Sequence, residues 1–128
     1  MKRLFFTILF SAVLSAISAN AQKVELDKVI IDKDNCTITN KATGKTFNLY
    51  GDVEIVEDYS SADFCVKLVD AYCFADICVQ MVNSSFTKCC EFQKVNSFGN
   101  VKVKIVEAYT FADICVKLVD AFPKINRR

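Results

Sequence analysis

The sequence predicts an all-β fold whose short strands come from a 13-residue tandem repeat, preceded by a cleaved N-terminal signal helix. Self-similarity is the first observation, because a fixed period decides the architecture before local propensity does. The segments IVEDYSSADFCVK (55–67), LVDAYCFADICVQ (68–80), MVNSSFTKCCEFQ (81–93), KVNSFGNVKVK (94–104) and IVEAYTFADICVK (105–117) follow one another without linkers. LVDAFPKIN opens a sixth copy, and one copy is shortened to 11 residues. ADFCVKLVDAY (62–72) and ADICVKLVDAF (112–122) differ only at Phe64/Ile114 and Tyr72/Phe122. The second observation is that each copy carries an apolar, β-branched run such as Ile114 to Asp120. It reads as a strand of about six to eight residues. The third is a Tyr/Phe-x-x-Ala-Asp segment between runs, read as a short turn. A helix is the competing reading of CVKLVDAY, but so short a period with a turn in each copy leaves no room for helices of the usual ~10–14 residues. Alternation puts Ile114, Val116 and Leu118 on a core face and Cys115, Lys117 and Val119 on a mixed one.

Taken in chain order, residues 1–21 read as a signal peptide. Lys2 and Arg3 are a positive n-region, Leu4 to about Ile17 is apolar, and Ala19-Asn20-Ala21 is an A-x-A cleavage site, which places the mature start at Gln22. The apolar run is interrupted by Thr7, Ser11 and Ser15 and is shorter than the roughly 20 residues that span a bilayer, so no stable membrane anchor is expected after cleavage. The expected destination is the periplasm or the medium. Residues 22–48 form an N-terminal strand and hairpin segment: a strand at Val29 to Ile31, then CTIT and TFNLY around the turn Ala42-Thr43-Gly44-Lys45. The repeat domain occupies 49–128. With three glycines and one proline in the chain, its turns must rely on Asp, Asn, Ser and Ala.

The run LYG, the V-x-x-V-(E/D/N)-x-(Y/F)-x-x-A-D units, a copy with adjacent cysteines and then KVNSFGNVKVKIV together resemble the septoil-knot (seven-crossing torus knot) domain family. Its members show tandem units like VVNSFPDxKVKVVNSFPD after LYG, with a divergent middle copy. The resemblance covers Leu49 to Phe122. It departs from the family pattern in Ala-Asp where many members have Pro-Asp, and in cysteines inside several strands. It implies a compact, deeply knotted all-β fold and brings no activity with it. Stacking of like units would by itself give only a β-solenoid or small barrel.

Cleavage would remove two of 16 basic residues and no acids, leaving 14 against 15 and a formal charge of −1. So balanced a surface gives no footprint for nucleic acid or anionic membrane. The mature chain has the length of one domain and can bury a real core. It holds all seven cysteines, Cys36, Cys65, Cys73, Cys78, Cys89, Cys90 and Cys115, as candidate disulfide partners of unknown pairing. In an oxidising compartment an even subset should pair, leaving at least one thiol free or bonded to another molecule.

Histidine is absent, which removes histidine bases, Ser-His-Asp and Cys-His catalysis and imidazole zinc sites. No phosphate loop or nucleophile elbow occurs. No catalytic residue, metal ligand or cofactor is expected. Cys65, Cys78 and Cys115 share one repeat position and read as structural rather than redox groups. Glu57, Asp70, Asn83, Asn96, Glu107 and Asp120 recur at the third position of each unit, and Asp63, Asp76 and Asp113 follow its alanine. They read as strand-ending residues that bond backbone N–H groups, with calcium binding the alternative. Tyr59, Tyr72, Phe98, Tyr109 and Phe122 recur likewise and read as core packing, with a glycan-stacking stripe the alternative. The functional expectation is a small exported structural or interaction module without catalytic activity, serving a protein or envelope partner. A calcium- or glycan-binding module is the runner-up.

Overall fold

The computed structural model describes residues 23–83 and 88–126. The expected signal helix lies outside them. Residues 23–48 form a four-stranded antiparallel meander of β1 (Lys23–Glu25), β2 (Val29–Asp32), β3 (Thr37–Asn40) and β4 (Thr46–Asn48). The last three are the strands expected from the sequence; β1 is additional and too short to leave a pattern. Gly44, at φ +75°, closes the β3–β4 turn, where the Asn40 amide donates to the Lys45 carbonyl. After β2, the Asp32 carboxylate accepts from the amides of Asp34 and Asn35 and from the Asn35 side chain. Those bonds favour its ionised form and lower its pKa, the Asn35 side chain most.

Six strands follow: β5 (Gly51–Ile55), β6 (Phe64–Leu68), β7 (Ile77–Met81), β8 (Glu91–Val95), β9 (Val101–Ile105) and β10 (Ile114–Val119). They close into a barrel in the order β5, β9, β6, β10, β7, β8 and back to β5, and every one of the six pairings is parallel. A closing strand β11 (Lys124–Ile125) lies antiparallel on β7. The all-β expectation holds; β10, with six residues, has the expected length, but the other five strands, with five residues each, are shorter than expected and the connectors longer. Parallel neighbours cannot be joined by tight turns, because the chain must return along the barrel before the next strand begins. Here the return takes eight residues after β5, β6 and β9, each containing one 3-10 turn: Tyr59–Ser61, Tyr72–Phe74 and Tyr109–Phe111.

Each return lies over the strand that separates the two it joins. Between β5 and β6 the Val56 amide donates to Val103 of β9, and between β6 and β7 the Val69 amide donates to Val116 of β10. Between β9 and β10 the Val106 amide donates to Val66 of β6. On each covered strand a lysine meets the tyrosine of the 3-10 turn: Lys104 with Tyr59 at 5.0 Å, Lys117 with Tyr72 at 5.1 Å and Lys67 with Tyr109 at 5.6 Å.

Register fixes the shape of the barrel. Val53 faces Val101, Val103 faces Phe64, Val66 faces Ile114, Val116 faces Ile77, Gln80 faces Glu91 and Phe92 faces Gly51. Each neighbour is therefore displaced by two repeat positions in one direction, and six such steps accumulate to about twelve residues around the ring. So large a stagger for six strands tilts them roughly 55° from the barrel axis and sets the strand circle at a radius of about 8 Å, wider than side chains of ordinary size fill.

The meander packs against the end of the barrel where the strands begin. Phe47 meets Phe64 edge-on at 5.3 Å, the Asn40 side chain donates to the Asp63 carbonyl at 2.8 Å, and Lys28 donates to the Thr110 carbonyl at 2.9 Å. Val29, Ile31, Ile38 and Leu49 join the barrel residues in one buried core.

Candidate functional site

The inward positions of the six strands form three layers. The lowest holds Gly51, Phe64, Ile77, Cys90, Val101 and Ile114, and the middle one Val53, Val66, Val79, Phe92, Val103 and Val116. The uppermost holds Ile55, Leu68, Met81, Lys94, Ile105 and Leu118. Between them lies a chamber of about 350 Å³ with Ile38 and Leu49 of the N-terminal segment contributing to its lining. Among the described residues, Lys94 and Asn48 are the polar members of its lining. Exposure falls steadily inward. The five apolar residues of the upper ring are 37 to 50 % exposed, the buried members of the middle layer 6 or 7 %, and Phe64, Ile77, Val101 and Ile114 3 to 5 %. The chamber is thus an apolar cup open at the end where the strands finish. Ligand pockets of small domains have this concave, apolar form and begin at roughly 300 Å³.

Two residues beyond each position of the upper ring stand Glu57, Asp70, Asn83, Asn96, Glu107 and Asp120, all exposed. Among the described residues none of their carboxylates is in an ion pair, and the one pair present joins Lys41 to Glu25. Nor, among the described residues, does any of these side chains accept a backbone N–H bond, so the expectation that they hold turns does not describe them.

It does describe the acids that follow alanine, with partners distant in sequence. The Asp63 amide donates to the Lys102 carbonyl while its carboxylate accepts from the Lys102 amide at 2.8 Å. Asp113 clasps Cys65 in the same way, and Asp76 clasps Cys115. Each clip ties the start of one barrel strand to its neighbour. Asn100 makes a fourth clip to Asp52, and sequence reasoning missed it because the shortened copy hides its alignment with Ala-Asp. These carboxylates are engaged by backbone amides, and among the described residues no group of three or more Cys, Asp or Glu is placed to hold a metal ion.

In the divergent copy the clip position is taken by Cys89. It forms a disulfide with Cys36, which precedes β3, and so fastens the barrel to the meander where a carboxylate is missing. Register explains why the repeated cysteines do not pair with one another. Cys115 is seated beside Lys67 and Cys78 beside Lys117, so Cys65, Cys78 and Cys115 are out of step across the barrel. Cys65, Cys73, Cys78 and Cys90 are thiols. Burial raises Cys65, with the Asp113 carboxylate adding to it, and burial pushes Cys90 up to about 12, with Cys78 contributing. Neither is poised as a nucleophile at neutral pH.

The aromatic ladder corrects the sequence reading. Tyr59, Tyr72 and Tyr109 are 55 to 58 % exposed, and Phe98 and Phe122 are 94 % and 88 % exposed. The inward positions belong to the strands, and the connectors that carry Tyr59, Tyr72 and Tyr109 run over β9, β10 and β6 on the outside of the barrel. Phe74 and Phe111 are exposed as well, and Phe111 meets Tyr59 edge-on at 6.5 Å. Phe98 and Phe122 also take left-handed backbone, at φ 58° and 60°, which bulky side chains rarely adopt.

No curated protein and no solved structure matches the chain in comparison. The family model of the 7(1) septoil knot domain matches residues 46–126, which includes every barrel strand, the clips and β11. That match spans more than half of the sequence, and the chain belongs to the septoil knot domain family.

Proposed function

We propose that this is an exported, non-catalytic binding module whose site is the open apolar chamber of the barrel. The observation that carries the reading is the chamber itself: about 350 Å³, lined among the described residues by apolar side chains with Asn48 and Lys94, and open at one end. Apolar surface left in contact with water at the mouth of a preformed cup favours an apolar guest. Export is supported by the n-region, apolar run and A-x-A site of residues 1–21. A knotted repeat architecture is supported by family membership and by strand order, since β9 lies between β5 and β6 and β10 between β6 and β7. The test is titration with an apolar fluorophore such as phenylnaphthylamine. One saturable site is expected, and it should be lost in Val103→Phe, which fills the chamber, while cooperative unfolding is retained. Absence of saturable binding by the native chain sinks the proposal.

A second reading, glycan stacking on the outer belt, is favoured by the exposure of Tyr59, Tyr72, Tyr109, Phe98 and Phe122. Phe98 and Phe122 accept an unfavourable backbone with almost no burial in return, which is the pattern of a residue kept for contact with something else. Retention on immobilised envelope glycan should fall in Phe98→Ser/Phe122→Ser without loss of stability. Unchanged retention removes this reading.

A further inference from the structure

We infer that the chamber takes a single-chain amphiphile whose aliphatic body fills the cup and whose cationic head group sits among the carboxylates around its mouth. The inference rests on the chamber reading and adds the ligand class to it. The body follows from the lining, which is apolar from the upper ring down to Phe64, Ile77, Val101 and Ile114, and from the volume of about 350 Å³, near the lower end for small-molecule sites, which suits one chain rather than two. The head group follows from charge. Glu57, Asp70, Glu107 and Asp120 stand two residues beyond the upper ring, and Asp58 lies beside Glu57. Lys94 is the only lysine or arginine on the upper ring. The other lysines of the six barrel strands are held away from the mouth: Lys67, Lys104 and Lys117 lie on the outer face against the tyrosines of the connectors, and Lys102 follows Val101 of the lowest layer, in the clip to Asp63 at the opposite end. The field at the mouth is therefore negative, which attracts a cation and disfavours a carboxylate or phosphate.

Calorimetric titration of the mature, oxidised chain with dodecylamine, dodecanol and laurate separates the two parts of the idea. The amine is expected to bind about tenfold more tightly than the alcohol at low salt, from four modest exposed charge interactions. That advantage should vanish in molar salt and in Glu57→Gln/Asp70→Asn/Glu107→Gln/Asp120→Asn, while dodecanol binding is retained. Within the alkylamines, affinity should rise about fourfold per methylene until the chain outgrows the cup. Laurate binding as tightly as dodecylamine, or alcohol and amine binding alike, overturns the cationic head and leaves the chamber reading standing. Failure of all three ligands overturns both, as does a stable dimer that excludes dodecanol by covering the rim with a second copy.

Discussion

At the scale of single residues, Gly99 shows how closely the connectors lie on the barrel. A Cβ there would stand 2.7 Å from the Glu54 Cβ and 2.8 Å from the Glu54 amide nitrogen, closer than any such contact tolerates. Gly99→Ala should therefore destabilise the chain by about 1–3 kcal/mol, the range for overpacking a site that cannot yield, as read by urea unfolding. A change below a few tenths of a kcal/mol would mean that the β8–β9 connector moves freely. Cys90 gives a prediction in pH. Its folded pKa of about 12 lies above the ordinary 9.0, so below 9 both states hold the proton and its contribution to stability is complete. Above 9 the unfolded chain ionises first, and stability falls by up to about 1.4 kcal/mol per pH unit until the folded thiol ionises too. Cys90→Ala removes this component, so between pH about 9 and about 11 the native chain should lose stability more steeply than the variant. Parallel slopes would show that the thiol is not held neutral.

Between strands, the clips do what side-chain packing alone cannot, because a periodic sequence has no preferred register: a slip by one whole repeat leaves the apolar alternation intact. Asp63, Asp76, Asp113 and Asn100 each bind both the amide and the carbonyl of one residue on the neighbouring strand, which admits a single offset. Asp113→Ala should cost about 1–3 kcal/mol, since it leaves the half-buried Cys65 amide without its acceptor. Asp113→Asn, which keeps an oxygen acceptor, should recover most of that loss, and equal losses in both variants would put the effect in charge rather than in the clip. The Cys36–Cys89 disulfide closes a sequence separation of 53, for which the chain-entropy relation gives about 4 kcal/mol. Paired Ser substitution should lower the denaturant midpoint accordingly and leave the far-ultraviolet spectrum of the barrel in place. The strands and the clip acids were legible in the sequence because both recur at a fixed spacing. The outward place of the aromatics was not, since Tyr59 or Phe122 looks the same in a repeat whether its turn folds into a core or over the back of another strand.

For the whole molecule, the same asymmetry decides what could be read. The 13-residue period and its 11-residue lapse contain the three layers, and Val53, Val66, Val79, Val103 and Val116 fall together once the copies are aligned. Closure does not follow from alignment. It comes from the two-residue displacement at every pairing, a property of how copies meet rather than of any one copy, and that displacement widens the barrel enough to leave a chamber. Strand order adds a constraint on assembly. β10 pairs with both β6 and β7, so the last long strand of the chain completes a ring whose other members all precede it. An incomplete ring presents two open parallel edges and an apolar interior to water, and neither is stable in isolation. Ending the chain at Asp113 should therefore abolish cooperative unfolding altogether, with dye-binding aggregates in place of a weakened native state. The intact barrel should fold slowly for its size, because nearly all its pairings join segments distant in sequence. A sharp residual transition in the truncated chain would place the unit of stability in a subset of strands and would remove ring closure as the event on which the fold depends.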